Sequence, residues 1–269
     1  MSKSPSCTHS NFEEKKKKME NSQLKKIGGL ILLSISACTG LFLLKPVCQD
    51  TCYHQFADVR SLSTISNYWN VLSNIPFLGI GAAGMIISLQ KSKTRIRASL
   101  RMHYFLFFLG IFLTGIGSGY YHFNPNNDTL VWDRLPMTIS FMSFFAIIIA
   151  EYITVQYSRI LLFALLFIGV GSVIYWQYTE TMGCGDLRMY MAVQFLPMLL
   201  IPIILVIFKA PHYPSKQIWF MLLVYVLAKV CETYDKQLFS SLQVISGHTV
   251  KHFLAAIAPI LFLQGIKQK

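Results

Sequence analysis

Charge is what this sequence has least of. Only 13% of its 269 residues are charged, with 12 acids against 24 Lys and Arg, while 54% are hydrophobic and the mean hydropathy is +0.48. Soluble domains carry about 25% charged residues, so a chain this poor in charge cannot cover itself with polar surface. A secreted soluble protein, a disordered chain and a collagen-like fibre are excluded. The net charge of +12 is not gathered on one docking surface either: seven of the 24 basic residues lie in 1–26, including Lys15-Lys16-Lys17-Lys18, and five lie between Lys91 and Arg101. Basic clusters between apolar runs read as orientation signals and lipid head-group contacts. Nucleic acid requires cations concentrated on a folded face, so no nucleic-acid partner is expected.

What the chain does have is long apolar runs. A spanning helix needs about 20 mostly apolar residues, and eight such stretches are present: 27–44, 68–90, 103–121, 134–153, 159–177, 188–208, 217–233 and 248–265. The expected fold is an all-α integral membrane protein, with a seven-transmembrane-helix core and one extra N-terminal transmembrane helix. Residues 1–26 are expected as a basic cytoplasmic tail and 27–44 as the extra helix. The string Ile35-Ser36-Ala37-Cys38 has the form of a lipoprotein cleavage box, but the apolar residues continue through Leu44, which favours an uncleaved span. With the tail inside, the inner segments hold 17 of the 24 basic residues, as the positive-inside rule requires. Both termini are then cytoplasmic.

Ionisable groups at or within membrane helices are costly and are functional candidates by default. Ser118 and His122 lie four apart on one face of the third span, Asp133 opens the fourth, and His248 and His252 lie four apart at the start of the last. All five fall at the outer membrane side under a topology set only by Lys and Arg. Three histidines, two at i and i+4, suit a tetrahedral Zn2+ with an open fourth position, where water ionises near pH 7, at a pKa of about 7. Asp133 is placed to take the water's proton and Ser118 to stabilise a developing oxyanion. Interfacial histidines bonded to helix-end carbonyls would share this spacing. His54, in the first outer loop, is the spare ligand candidate. Glu232 and Asp235, at i and i+3, either pair with Lys229 or fix a helix end near the site. Gly79-Ile80-Gly81-Ala82-Ala83-Gly84 has the letters of a dinucleotide fingerprint, but it sits inside an apolar span with no preceding strand, so helix packing is expected.

The strings Gly117-Ser118-Gly119-Tyr120-Tyr121-His122, Asp133-Arg134-Leu135-Pro136-Met137, Ser246-Gly247-His248-Thr249-Val250-Lys251-His252 and Asn67-Tyr68-Trp69-Asn70-Val71-Leu72-Ser73-Asn74 together resemble the alkaline ceramidase family, part of the CREST superfamily of seven-helix membrane hydrolases and receptors. The resemblance implies a catalytic domain over residues 48–265. It also implies a zinc-dependent amidase that cleaves the N-acyl bond of ceramide-like membrane lipids to a sphingoid base and a fatty acid. His122, His248 and His252 would hold zinc, with Asp133 and Ser118 catalytic. A zinc-containing receptor or scaffold of the same superfamily, or a hydrolase of another N-acyl lipid, are the alternatives. A transporter would show repeats and midplane charges, which are not seen.

Animal members carry a calcium site before the first core helix. Here the stretch Asp50–Arg60 has two carboxylates, few for an ion that takes six to eight oxygens, or about that; Asp58 and Asn67 are the positions a Ca2+ would use. The string Tyr53-His54-Gln55-Phe56-Ala57-Asp58 looks more like bacterial members, whose substrates need not be ceramides because many bacteria lack sphingolipids. Finally, the resemblance implies a disulfide from the N-terminal segment to a cysteine followed by glutamate, giving Cys52–Cys231 with Cys48 as the rival partner. Ordinary buried thiols are the other reading.

Overall fold

The computed structural model of the protein describes residues 6–91, 94–209 and 215–267, with side chains described from residue 17. Among the described residues there is no strand, only helices and two isolated bridges. The chain divides into two units, Met1–Lys45 and Pro46–Lys269. The first is one helix, α1 (Ser6–Leu43), whose segment Lys17–Leu43 is long and apolar enough to span a membrane. Residues 1–5 of the basic tail lie outside the described residues.

The second unit carries α2 (Tyr68–Leu72), α3 (Ile75–Leu89), α4 (Arg101–Phe123), α5 (Asn127–Tyr152), α6 (Ser158–Thr181), α7 (Arg188–Ile207), α8 (Ser215–Thr233), α9 (Asp235–Leu242) and α10 (Gly247–Ile266). Six spans of this unit, with α2 and α3 counted as one, are long and apolar enough to cross a membrane; α1 makes seven, and α8 with α9, a pair bent by 78°, makes an eighth. The chain is therefore an all-α, multi-pass membrane protein with a seven-helix core and an extra N-terminal helix.

Two spans differ from their expected form. The first core span is broken at Ser73 and Asn74, where Pro76 sits in the first turn of α3; proline lacks an N–H and suits a helix start rather than an interior. The loop into the fourth span is also far shorter than Phe123–Trp132. α5 starts at Asn127 because Asn126 and Thr129 form a capping box: the Asn126 carbonyl oxygen of the side chain accepts from the Thr129 N–H at 2.9 Å, and the Asn126 N–H donates to Thr129 Oγ1 at 3.2 Å. The resulting tight hairpin sets α4 antiparallel against α5. Gly117 allows the contact, since a Cβ there would collide with the Trp132 carbonyl. The fingerprint-like glycines act likewise: Gly81 faces the Phe112 backbone and Gly84 the Phe108 ring. α5 is the most buried of the spans and packs against α4, α6 and α7; α10 packs against α8.

A disulfide joins Cys48 to Cys184. Cys52 and Cys231 are free, one exposed and one partly buried, so the expected Cys52–Cys231 bridge is corrected. The physical reason is local: the extended segment around Cys48 runs beside the α6–α7 loop, where the Leu187 N–H donates to the Val47 carbonyl at 2.9 Å. Cys52 instead sits on a 3-10 turn (Thr51–His54) capped by Asp50, and Cys231 is held within α8.

Candidate metal centre and lipid cavity

The α4–α5 hairpin and the start of α10 bring His122, His248 and His252 together. All three are buried, and one ligand nitrogen from each lies within 4.8 Å of the others. Their ring centroids are 4.8 to 4.9 Å apart in every pair. The Nε2 atoms of His122 and His248 face each other at 3.2 Å. Two nitrogens about 2.0–2.1 Å from a shared tetrahedral centre would stand about 3.4 Å apart, so the donor set has the spacing of a zinc-type ion. The distal nitrogens fit that use in part. His252 Nδ1 is hydrogen-bonded to Ser73 Oγ at 2.7 Å, which fixes the ring and leaves Nε2 for a ligand role. On His248 it is Nε2, the nitrogen facing His122, that accepts from Lys251 Nζ at 2.9 Å, so an ion would take the place of that ammonium on the lone pair, and His122 Nδ1 is buried without a partner.

The surroundings hold these rings in place. Phe56 packs on His122 and His248, with centroids 4.7 and 4.8 Å away. The first turn of α10 is anchored by the Ser246 cap and by the Asp235 carboxylate, which accepts from the His248 N–H at 2.6 Å and from the Ala57 N–H at 2.9 Å. Glu232 receives both Lys229 at 2.6 Å and Lys251 at 3.0 Å. Both readings of the Glu232 and Asp235 pair thus hold, one for each residue.

Ser118 and Asp133 are buried and line the same cavity as His252, and the Ser118 hydroxyl approaches the Asp133 carboxylate. The cavity has a volume of about 400 Å³ and runs between α4, α5, α7, α8 and α10. Beyond its polar end the walls are apolar, with Phe107, Ile111, Phe141, Phe144, Met221 and Pro259 among them.

Other expected site residues lie elsewhere. His54 spends both ring nitrogens on Tyr121 and Asn127, each at 2.9 Å, away from the histidine trio. Asp58 is engaged by Arg60 through both carboxylate oxygens, at 2.8 and 2.6 Å. Asn67 donates its side-chain amide to the His122 carbonyl at 2.9 Å and has φ of 47°, so it braces the α4 end. Among the described residues, the histidine trio is the one group of three or more His, Cys, Asp or Glu placed to hold a metal.

Ser73 escaped sequence reasoning because its partner lies 179 residues away. Lys251 carried no cue beyond its position one residue before His252. Cys184 did carry one, since it stands in the outer loop between two spans together with Cys48 on the same expected side.

The ceramidase family model matches residues 50–262, which takes in all five site residues and the core spans up to residue 262 of α10. The chain belongs to the ceramidase family, hydrolases acting on the amide bond of ceramide.

Proposed function

We propose that this protein is a zinc-dependent intramembrane amidase that hydrolyses the N-acyl bond of ceramide-like lipids to a sphingoid base and a fatty acid, with residues 48–265 as the catalytic domain. The observation that carries this reading is the convergence of three buried imidazoles, of which His252 lines an apolar cavity together with Asp133 and Ser118. His122, His248 and His252 would hold the ion. When bound, zinc supplies Lewis acidity toward an amide carbonyl and makes water nucleophilic near neutral pH.

The chain's own residues supply the rest. The apolar walls take the acyl chain and exclude bulk water, which strengthens each polar contact at the reacting end. The Asp133 carboxylate accepts a proton from the attacking water and returns it to the amine as the C–N bond breaks. The Ser118 hydroxyl, beside Asp133, donates toward the carbonyl oxygen as negative charge gathers there. Ser73 orients the His252 ring through its 2.7 Å hydrogen bond. The positive-inside count supports an outer-facing site with cytoplasmic termini, which puts the scissile amide at head-group depth with its chains in the bilayer.

Hydrolysis of ceramide by detergent-solubilised wild type, lost in a folded His252→Ala variant, tests the reading; full activity in a folded, metal-free variant would contradict it.

A further inference from the structure

We propose that Arg134 makes the site selective for N-acyl lipids whose amine half carries an anionic oxygen group, such as a phosphate, sulfonate or carboxylate. This rests on the amidase reading and narrows its substrate.

Arg134 follows Asp133 on α5 and is 6% exposed. Its guanidinium carbon stands 4.3 Å over the Trp176 ring and 4.8 Å over Tyr190, with Tyr53 at 5.8 Å. Nη2 donates to Gln49 Oε1 at 2.5 Å, and Nη1 is buried without a partner. Among the described residues, no carboxylate pairs with it within 4.0 Å. Arg134, Gln49, Tyr53 and Tyr190 all line the cavity, so the guanidinium stands at its wall.

The other cations of the same cavity are handled differently. Lys229 and Lys251 share Glu232. Asp50, which also lines the cavity, is exposed and caps the 3-10 turn through the Cys52 N–H at 2.8 Å. A buried charge without a directly paired carboxylate is costly, and aromatic faces compensate for it only in part. The aromatic stack and Gln49 hold the planar fork in one orientation before any ligand arrives. A pre-set guanidinium is suited to oxyanions, through short charge-assisted hydrogen bonds that an ammonium on a mobile stem does not match. Consecutive helix residues point about 100° apart, from 3.6 residues per turn. Asp133 and Arg134 both line the cavity, so a lipid amide near the first leaves its head group in the same cavity as the second.

The test uses the full-length protein and two matched pairs of probes: ceramide with ceramide 1-phosphate, and N-oleoylethanolamine with N-oleoylglycine. Hydrolysis is measured on wild type, and lipid binding by thermal shift on the inactive His248→Ala variant. In at least one pair the anionic member is expected to exceed the neutral one by about ten- to a hundredfold in kcat/KM, the scale of one charge-assisted hydrogen bond, and to give the larger thermal shift. The responding pair identifies phosphate or carboxylate. The preference should collapse in Arg134→Gln and survive in part in Arg134→Lys. Equal treatment of both members of both pairs by wild type overturns the proposal without recourse to any variant. Selective binding of the anionic member with no hydrolysis of any probe would uphold the Arg134 assignment and remove the amidase reading. Hydrolysis with no anionic preference would do the reverse.

Discussion

Two polar clusters line the cavity, one around Asp133 and one around Arg134, neighbouring residues of α5, and they are assembled in different ways. Around Asp133 the groups come from helix ends: His122 closes α4, and His248 and His252 open α10. Around Arg134 the partners come from a loop segment and from ring faces, with Gln49 held near the Cys48–Cys184 bridge and Trp176 and Tyr190 on α6 and α7. Helix-end groups converge because backbone hydrogen bonding fixes their spacing. Loop groups converge because a disulfide and packing fix them. The first arrangement suits an ion that tolerates little misplacement, and the second suits a head group.

If the two clusters are separable, damage to one should leave the other's signature intact. The largest effect is expected from His248→Ala, which should abolish hydrolysis and metal retention while the protein still binds lipid. Next is Asp133→Asn, expected to lower kcat by about 10²–10⁴-fold, the range for a lost general base, with metal content unchanged. Loss of metal along with activity would merge the two roles. Ser73→Ala should weaken metal affinity by about 10–100-fold, as removal of a ligand's hydrogen-bond partner does, measured by competition with a chelator. Cys48→Ser should leave metal content unchanged and reduce discrimination between the paired lipids, because it frees the segment carrying Gln49. The smallest effect concerns Asp186, outside the spans, whose carboxyl is held below its ordinary value first by its hydrogen bonds from Arg188. A depressed folded pKa contributes stability above the unfolded value of about 3.9 that is lost as pH falls through the lower folded value. Wild type should therefore lose more thermal stability on acidification through this range than Asp186→Asn does.

The same contrast governs what could be read from the sequence. The metal end was legible because His248 and His252, and Ser118 and His122, are four apart, and a helix converts that spacing into one face. Seven core spans were legible from apolar length alone. The break at Ser73 and Asn74 was not, because Pro76 is compatible with a helix start and with a kinked interior alike. The Ser73 bond to His252 and the Asp235 bond to the His248 N–H depend on how separate helices dock, which local pattern does not encode. The Cys52–Cys231 bridge implied by the resemblance does not form; four of the six cysteines fall at or near one expected side, and connectivity among them is set by where the 46–50 segment lies. In the sequence Arg134 is one residue of the Asp133–Met137 motif. Its lack of a direct carboxylate partner among the described residues is a property of three-dimensional surroundings that no spacing shows.

The central claim is that three histidines form a zinc site, and elemental analysis of the detergent-purified protein tests it most directly. About one zinc per chain in wild type, absent from a folded His248→Ala variant, is the expected result. A folded wild type that stays metal-free after incubation with zinc would contradict the account.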